Sequence, residues 1–288
     1  RASHPRTARK IDICLMSDTI DLSQTIECGQ FFQYRKDNGG YWVVSSGRRA
    51  FIIQDGDGLR YEGVNDGDTG FWDNLLDLST DYEEIKGHLT ENDPVMREAV
   101  RFAPGIHIMN QDPWECMLGF IISQNNRIPM IMKTLRNISQ MFGNGFNNDE
   151  DYAPPKPDIL AALDEAPIRE CKAGFRAKYI LDAARKAAGG DINLYSLGDV
   201  DTGALRTLLM TVNGIGAKVA DCVMLFSMGR REVFPIDVWI ARVMRRLYFD
   251  GREVPLKEIQ LFAASRFGPL AGYAQQYLFH YARSKKIV

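Results

Sequence analysis

Gly214 and Gly216, set between two stretches of helical periodicity, constrain the fold of this chain more than any other feature. Leu205, Leu208, Leu209 and Val212 keep an apolar face before them, and Val219, Cys222, Val223 and Phe226 keep one after. Glycines on both sides of Ile215 allow a tight turn and a close approach of backbone to a ligand. Two helices joined by such a hairpin, over about residues 203–228, leave the free N–H groups of the second helix pointing outward with its positive dipole end. That arrangement suits a phosphate, and a nucleic-acid backbone gripped without reading bases. By itself the Gly-x-Gly is equally compatible with a plain helix connection.

Two neighbours of the hairpin carry chemistry. Lys218 falls in the first turn of the second helix, where the dipole and the apolar Val219 and Ala220 disfavour its ammonium form. A lysine so placed becomes a nucleophile near neutral pH, although a solvated lysine touching phosphate fits the same position. Asp237 follows Pro235-Ile236 and precedes VWIARVMRRLY, whose apolar residues recur at helical spacing. It therefore reads as an N-cap, a role compatible with catalysis because the helix end keeps the carboxylate ionised and aimed.

The organisation of the rest is α+β. Residues 11 to about 65 hold short β-rich runs, YWVVSS and RRAFIIQ among them, with turn signals at Asp37-Asn38-Gly39-Gly40 and Asp55-Gly56-Asp57-Gly58. An antiparallel β domain over 1–92 is expected, its first ten residues a flexible tail. From Asp81 helical periodicity dominates, and 93–288 is expected to be a helical domain. Asp112-Pro113-Trp114-Glu115 is a well-formed helix start, and Phe142 to Pro157 a loop between helices.

Composition excludes more than it selects. The 288 residues are 45% hydrophobic and 25% charged, with no apolar stretch of transmembrane length and no signal-peptide pattern, so a cytoplasmic, nucleoid-associated address is expected. A net charge of −2 argues against a nucleic-acid binder when taken whole. Locally it does not: acids dominate Asp55 to Asp93, whereas Arg230, Arg231, Arg242, Arg245, Arg246, Arg283, Lys285 and Lys286 enrich the C-terminal part in bases. About half of these arginines are expected never to touch DNA. Cys14, Cys28, Cys116, Cys171 and Cys222 show neither disulfide nor zinc spacing, and no metal or other cofactor is expected.

The run Lys218-Val219-Ala220-Asp221-Cys222 and the later Pro235-Ile236-Asp237-Val238 resemble the catalytic segment of the helix-hairpin-helix/Gly-Pro-Asp superfamily of DNA glycosylases, and above all of its 8-oxoguanine DNA glycosylases. Further matches follow the family order. Glu27 to Phe32 resembles the family's strand start, Phe120 to Asn126 its Asn-rich loop, Gly174 to Tyr179 its wedge loop, and Ala274 to Phe279 its C-terminal helix. The iron–sulfur branch is excluded, because no cysteine follows Asp237.

The resemblance implies a TATA-binding-protein-like N-terminal β domain and a helical bundle with the hairpin in its cleft. It implies a monomer acting on double-stranded DNA that contains 8-oxoguanine, with no membrane partner. A base inside a duplex must be flipped into a pocket before it can be cut. By resemblance Phe175 fills the gap in the stack, Lys218 attacks C1′, and Asp237 stabilises positive charge on the sugar. The Gly29 carbonyl accepts from the N7 hydrogen that distinguishes 8-oxoguanine. Gln275 reads the Watson–Crick edge, and Phe279 and Cys222 stack on the two faces of the base. Gln275 and Phe279 are four apart, as are Lys218 and Cys222, so each pair shares a helix face.

Departures from the eukaryotic pattern concern the orphaned cytosine. Asn125 and Arg176 match its readers, but Met130 stands where a second Arg is expected, which implies weaker preference for cytosine opposite the lesion. Trp239 stands where relatives often carry His, and Phe175 where many carry Tyr; Met130 and Phe175 together suggest a bacterial member. Two other readings stand beside this one. A monofunctional alkylated-base glycosylase would keep Asp237 without needing Lys218, and a non-catalytic helix-hairpin-helix module would explain only the hairpin.

Overall fold

The computed structural model describes residues 20–56, 58–65, 67–146 and 150–287; the expected N-terminal tail and Cys14 lie outside these residues. The first described element is a helix, α1 (Leu22–Glu27), whose N-terminus is capped by Asp21 accepting from the Gln24 amide at 2.8 Å. Glu27 to Phe32, expected to open a strand, is instead the end of this helix and a turn. Asp21 caps the helix and Leu22 and Ile26 bury one face, a local pattern that the β-rich runs beyond it mask.

Strands β1 (Tyr34–Asp37), β2 (Gly40–Ser45), β3 (Arg48–Asp55) and β4 (Gly58–Glu62) follow as an antiparallel meander in sequence order. The expected turn signals join them, with Asp37 opposite Gly40 and Asp55 opposite Gly58. Tyr41, Val43, Ile52, Leu59 and Tyr61 pack from the sheet onto Trp72 and Leu75 of α2 (Thr69–Leu75), a helix that precedes the expected start of the helical region.

The remaining helices are α3 (Tyr82–Thr90), α4 (Pro94–Phe102), α5 (Pro113–Ser123), α6 (Ile128–Phe142), α7 (Pro157–Ala161), α8 (Glu165–Ile168), α9 (Ala177–Gly189), α10 (Thr202–Leu209), α11 (Ala217–Ser227), α12 (Val238–Tyr248), α13 (Leu256–Phe267) and α14 (Ala271–Lys285). Within the expected loop between α6 and α7, a two-stranded ribbon pairs β5 (Asn144–Gly145) with β6 (Tyr152–Ala153). Helix α5 is the axle of the bundle: Trp114 through Ile122 are all buried, as a helix apolar on every side requires. Asp112 caps it at the Glu115 amide, 3.0 Å. The Glu115 carboxylate does not close a capping box; it accepts from the Ser46 amide at 3.0 Å and Gln33 Nε2 at 3.2 Å, tying the axle to the sheet.

The turn after α1 is fastened twice. Gln30 is fully buried and donates to the Thr25 and His107 carbonyls while accepting from the Met109 amide. From the far end of the chain α14 packs over the same turn, with Gln276 donating to the Cys28 carbonyl and Tyr277 to that of Ile106. Residues distant in sequence thus form one rim around Gly29.

Candidate active site

Helices α10 and α11 form the expected hairpin, with Leu205, Leu209, Val212, Ile215, Val219 and Val223 buried. Arg206 on α10 donates to Asp221 on α11 at 2.6 Å, an ion pair that locks the two helices together; burial still pushes the Asp221 carboxyl up to about 6. The two glycines differ in what they do. Gly214 has φ +82°, and a Cβ there would stand 2.4 Å from the Tyr179 ring. Gly216 has an ordinary φ of −94° and open space beside it, and heads α11 without a side-chain cap, leaving the first amides of that helix for an anion.

Gly214→Ala is therefore expected to destabilise the protein by about 2–4 kcal/mol, from left-handed backbone strain plus overpacking. Gly216→Ala should cost less than about 1 kcal/mol. Thermal unfolding of the two variants checks this; equal losses would contradict it.

Lys218 lies in the first turn of α11 with its ammonium 5.2 Å from the centre of the Phe120 ring. Phe120 itself stacks on Phe226, so the amine rests on a fixed aromatic floor. Asp237 caps α12, accepting from the Ile240 amide at 2.7 Å. Cys222 is buried one turn after Lys218. Burial pushes its thiol up to about 11 against the pull of the Lys218 ammonium, which keeps the sulfur protonated.

These three residues line a single cavity of about 140 Å³ together with Gly29, Gln275 and Phe279. Gly29 has φ +96° and faces α14. Gln275 is 6% exposed, and its Oε1 is buried without a partner among the described residues. An unpaired buried acceptor is costly unless a ligand supplies the donor. Phe279 packs edge-on to Trp239, ring centres 5.4 Å apart.

A larger cavity, about 660 Å³, lies between the sheet and α6, lined by Tyr34, Trp42, Lys133 and Asp151 among others. None of the sequence-predicted residues reaches it, and its Arg35 is paired with Glu150 at 2.9 Å. The candidate catalytic residues line the smaller one.

The residues expected to meet the opposite strand form a second group, outside the cavity lining. Asn125 is exposed in the α5–α6 turn with φ +47°, and Met130 is 41% exposed at the start of α6. Arg176 is turned inward, donating to the Gln124 carbonyl at 2.7 Å and the Asn125 carbonyl at 3.0 Å, with its guanidinium over the Phe175 ring. Phe175, 43% exposed, meets Tyr179 edge-on, so the ring that excludes a side chain at position 214 also braces the loop that carries Phe175.

Sequence reasoning placed Phe120, Ser123, Asn126 and Gln276 in matched segments but gave them no role of their own, and all four line the cavity. Gln276 adjoins Gln275 within the matched segment Ala274 to Phe279, where only Gln275 and Phe279 were given roles. Of the C-terminal arginines, Arg230, Arg231, Arg245 and Arg283 donate to carbonyls within the fold. Among the described residues Cys28, Cys116, Cys171 and Cys222 are buried thiols, no cluster fit for a metal ion occurs, and no helix is long and apolar enough to cross a membrane.

The fold and cavity define a helix-hairpin-helix protein with an amine and a carboxylate at one pocket. Known proteins narrow the class. A family model of the 8-oxoguanine DNA glycosylase N-terminal domain matches residues 13–117, and one of HhH-GPD superfamily base excision DNA repair proteins matches 118–266. The solved structure of MBOgg1 with a low-affinity DNA ligand is 42% identical, with a TM-score of 0.91 over 97% of this chain and 99% of that one. The Clostridium acetobutylicum 8-oxoguanine glycosylase/lyase, solved with duplex DNA containing cytosine opposite 8-oxoguanine, is 36% identical, with a TM-score of 0.88 over 97% and 98%. The N-glycosylase/DNA lyase of Saccharomyces cerevisiae is 29% identical over 93% of this chain and 84% of its own length. The chain belongs to the 8-oxoguanine DNA glycosylases of the HhH-GPD superfamily.

Proposed function

We propose that this protein is a bifunctional DNA repair enzyme that excises 8-oxoguanine from duplex DNA and then cuts the abasic strand. The observation that carries the reading is the convergence of Lys218, Asp237, Gly29, Cys222, Gln275 and Phe279 on one cavity beside the hairpin. The backbone amides opening α11 hold a phosphate, Phe175 enters the duplex where the nucleotide leaves it, and the base occupies the cavity. The Gly29 carbonyl accepts from N7–H of the lesion, and the unpaired Gln275 Oε1 accepts from the Watson–Crick edge. Both bonds are lost or opposed with guanine or a wrong edge, which makes recognition a matter of unpaired polar groups.

For the chemistry, Lys218 gives up a proton and its amine forms a bond to C1′ as the glycosidic bond breaks. The base departs with the electron pair and takes up a proton, while the Asp237 carboxylate offsets positive charge at the sugar. Ring opening gives a Schiff base on Lys218; loss of a C2′ proton expels the 3′ phosphate, and water frees the lysine. A monofunctional glycosylase has no use for Lys218 at this position. The enzyme works as a monomer in the nucleoid without a cofactor.

Incubation with duplexes carrying one 8-oxoguanine or one guanine at the same position tests the proposal. Release of the oxidised base with strand cleavage, and none from guanine, is expected; cleavage of neither duplex would contradict it. Met130, in place of a second arginine fork, leaves cytosine without donors worth about 1–3 kcal/mol of discrimination. Excision opposite C, A, G and T should therefore differ modestly, and a cytosine preference on the order of a few hundredfold would contradict this use of Met130.

A further inference from the structure

Gln275, Phe279 and Arg283 succeed one another at fourfold spacing on α14 and so make one stripe. The first two line the cavity. Arg283 spans to the end of α1: its Nη2 donates to the Glu27 carbonyl at 2.9 Å, and its guanidinium lies 5.4 Å from the centre of the Phe279 ring. Its Nη1 is buried without a partner among the described residues and stands 2.9 Å from where a Cβ on Gly29 would be. Two turns earlier, Gln276 donates to the next carbonyl, that of Cys28. The carbonyl after that belongs to Gly29, and among the described residues no group donates to it.

We infer that Arg283 is a positioning residue for base selection, clamping the end of α1 so that the free Gly29 carbonyl and the Phe279 ring are held together across the cavity. This inference rests on the proposed function. A carbonyl discriminates between a hydrogen and a lone pair at N7 only if its direction is fixed, and a turn at φ +96° is not fixed by its own backbone. The charge-assisted bond to Glu27 fixes it from outside, and the guanidinium fills the space that a side chain at position 29 would take. The same guanidinium also orients the ring that stacks on the base.

The test compares wild type, Arg283→Met and Arg283→Lys under single turnover on two duplexes, one carrying 8-oxoguanine and one a preformed abasic site. Cleavage of the abasic site uses Lys218 but places no base in the cavity. For Arg283→Met, excision of 8-oxoguanine should fall about tenfold or more, as loss of a charge-assisted hydrogen bond implies, with abasic cleavage within about twofold of wild type. Arg283→Lys, which keeps one donor for the Glu27 carbonyl, should recover part of the loss. Unchanged excision by Arg283→Met, or a parallel fall in both reactions, would overturn the positioning role. Wild type that cuts abasic DNA but releases no 8-oxoguanine would overturn the lesion assignment itself, and the inference with it.

Discussion

Lys218→Gln should abolish base excision and strand cleavage together, lowering both by on the order of 10⁴-fold or more, the range in which loss of a nucleophile acting as one unit with its partners falls. Glutamine keeps much of the length and the hydrogen-bonding capacity of the side chain but has no amine to attack C1′. The fold should survive the change. Helix α11 begins at Gly216 with backbone amides, so its start does not depend on the lysine, and the substitution removes a cation from the face of the Phe120 ring. A cation–π interaction is worth about 0.5–2 kcal/mol, small beside the bundle's core. Loss of activity with retained stability and DNA binding is the expected pattern. A variant that still releases the base at a comparable rate would assign the chemistry to water.

Asp237→Asn isolates charge from structure. Asparagine caps a helix about as well as aspartate, so α12 should keep its start and the bond to the Ile240 amide. On the proposed mechanism, what disappears is the negative charge facing the sugar as positive charge develops. Removing one preorganised electrostatic partner from a water-excluded site typically lowers the rate by about 10²–10³-fold. Single-turnover excision by Asp237→Asn should fall in that range with unchanged thermal stability. Asp237→Ala should lose the rate and, in addition, about 1 kcal/mol of stability. An Asn variant as active as wild type would reduce Asp237 to its capping role.

Local signals made the centre of the site legible in the sequence. The hairpin glycines, the cap at Asp112 and the cap at Asp237 each depend on a few consecutive residues, and each stands where periodicity and capping put it. The i,i+4 pairs Lys218–Cys222 and Gln275–Phe279 follow from helix geometry alone, and both pairs line the cavity.

What stayed hidden depends on distance along the chain. Glu27 to Phe32 reads as a strand start because strands follow it, yet Asp21 and the buried Leu22 and Ile26 make the preceding segment a helix. The fastening of Gly29 by Gln276 and Arg283 joins residues roughly 250 positions apart, a relation that no local pattern encodes. Arg283 reads in sequence as one more C-terminal cation for phosphate, and only packing reveals its bond to Glu27. Arg206–Asp221 is hidden in the same way, since Asp221 reads as part of the catalytic run while its carboxylate holds two helices together. The ribbon of β5 and β6 is too short for its strand pattern to rise above the glycines and prolines around it.

The covalent step through Lys218 is the central claim, and borohydride trapping on a duplex with one 8-oxoguanine tests it most directly. Reduction should freeze the Schiff base as a stable protein–DNA adduct with the wild type and give none with Lys218→Gln. Release of 8-oxoguanine by the wild type without any trapped adduct would contradict the claim.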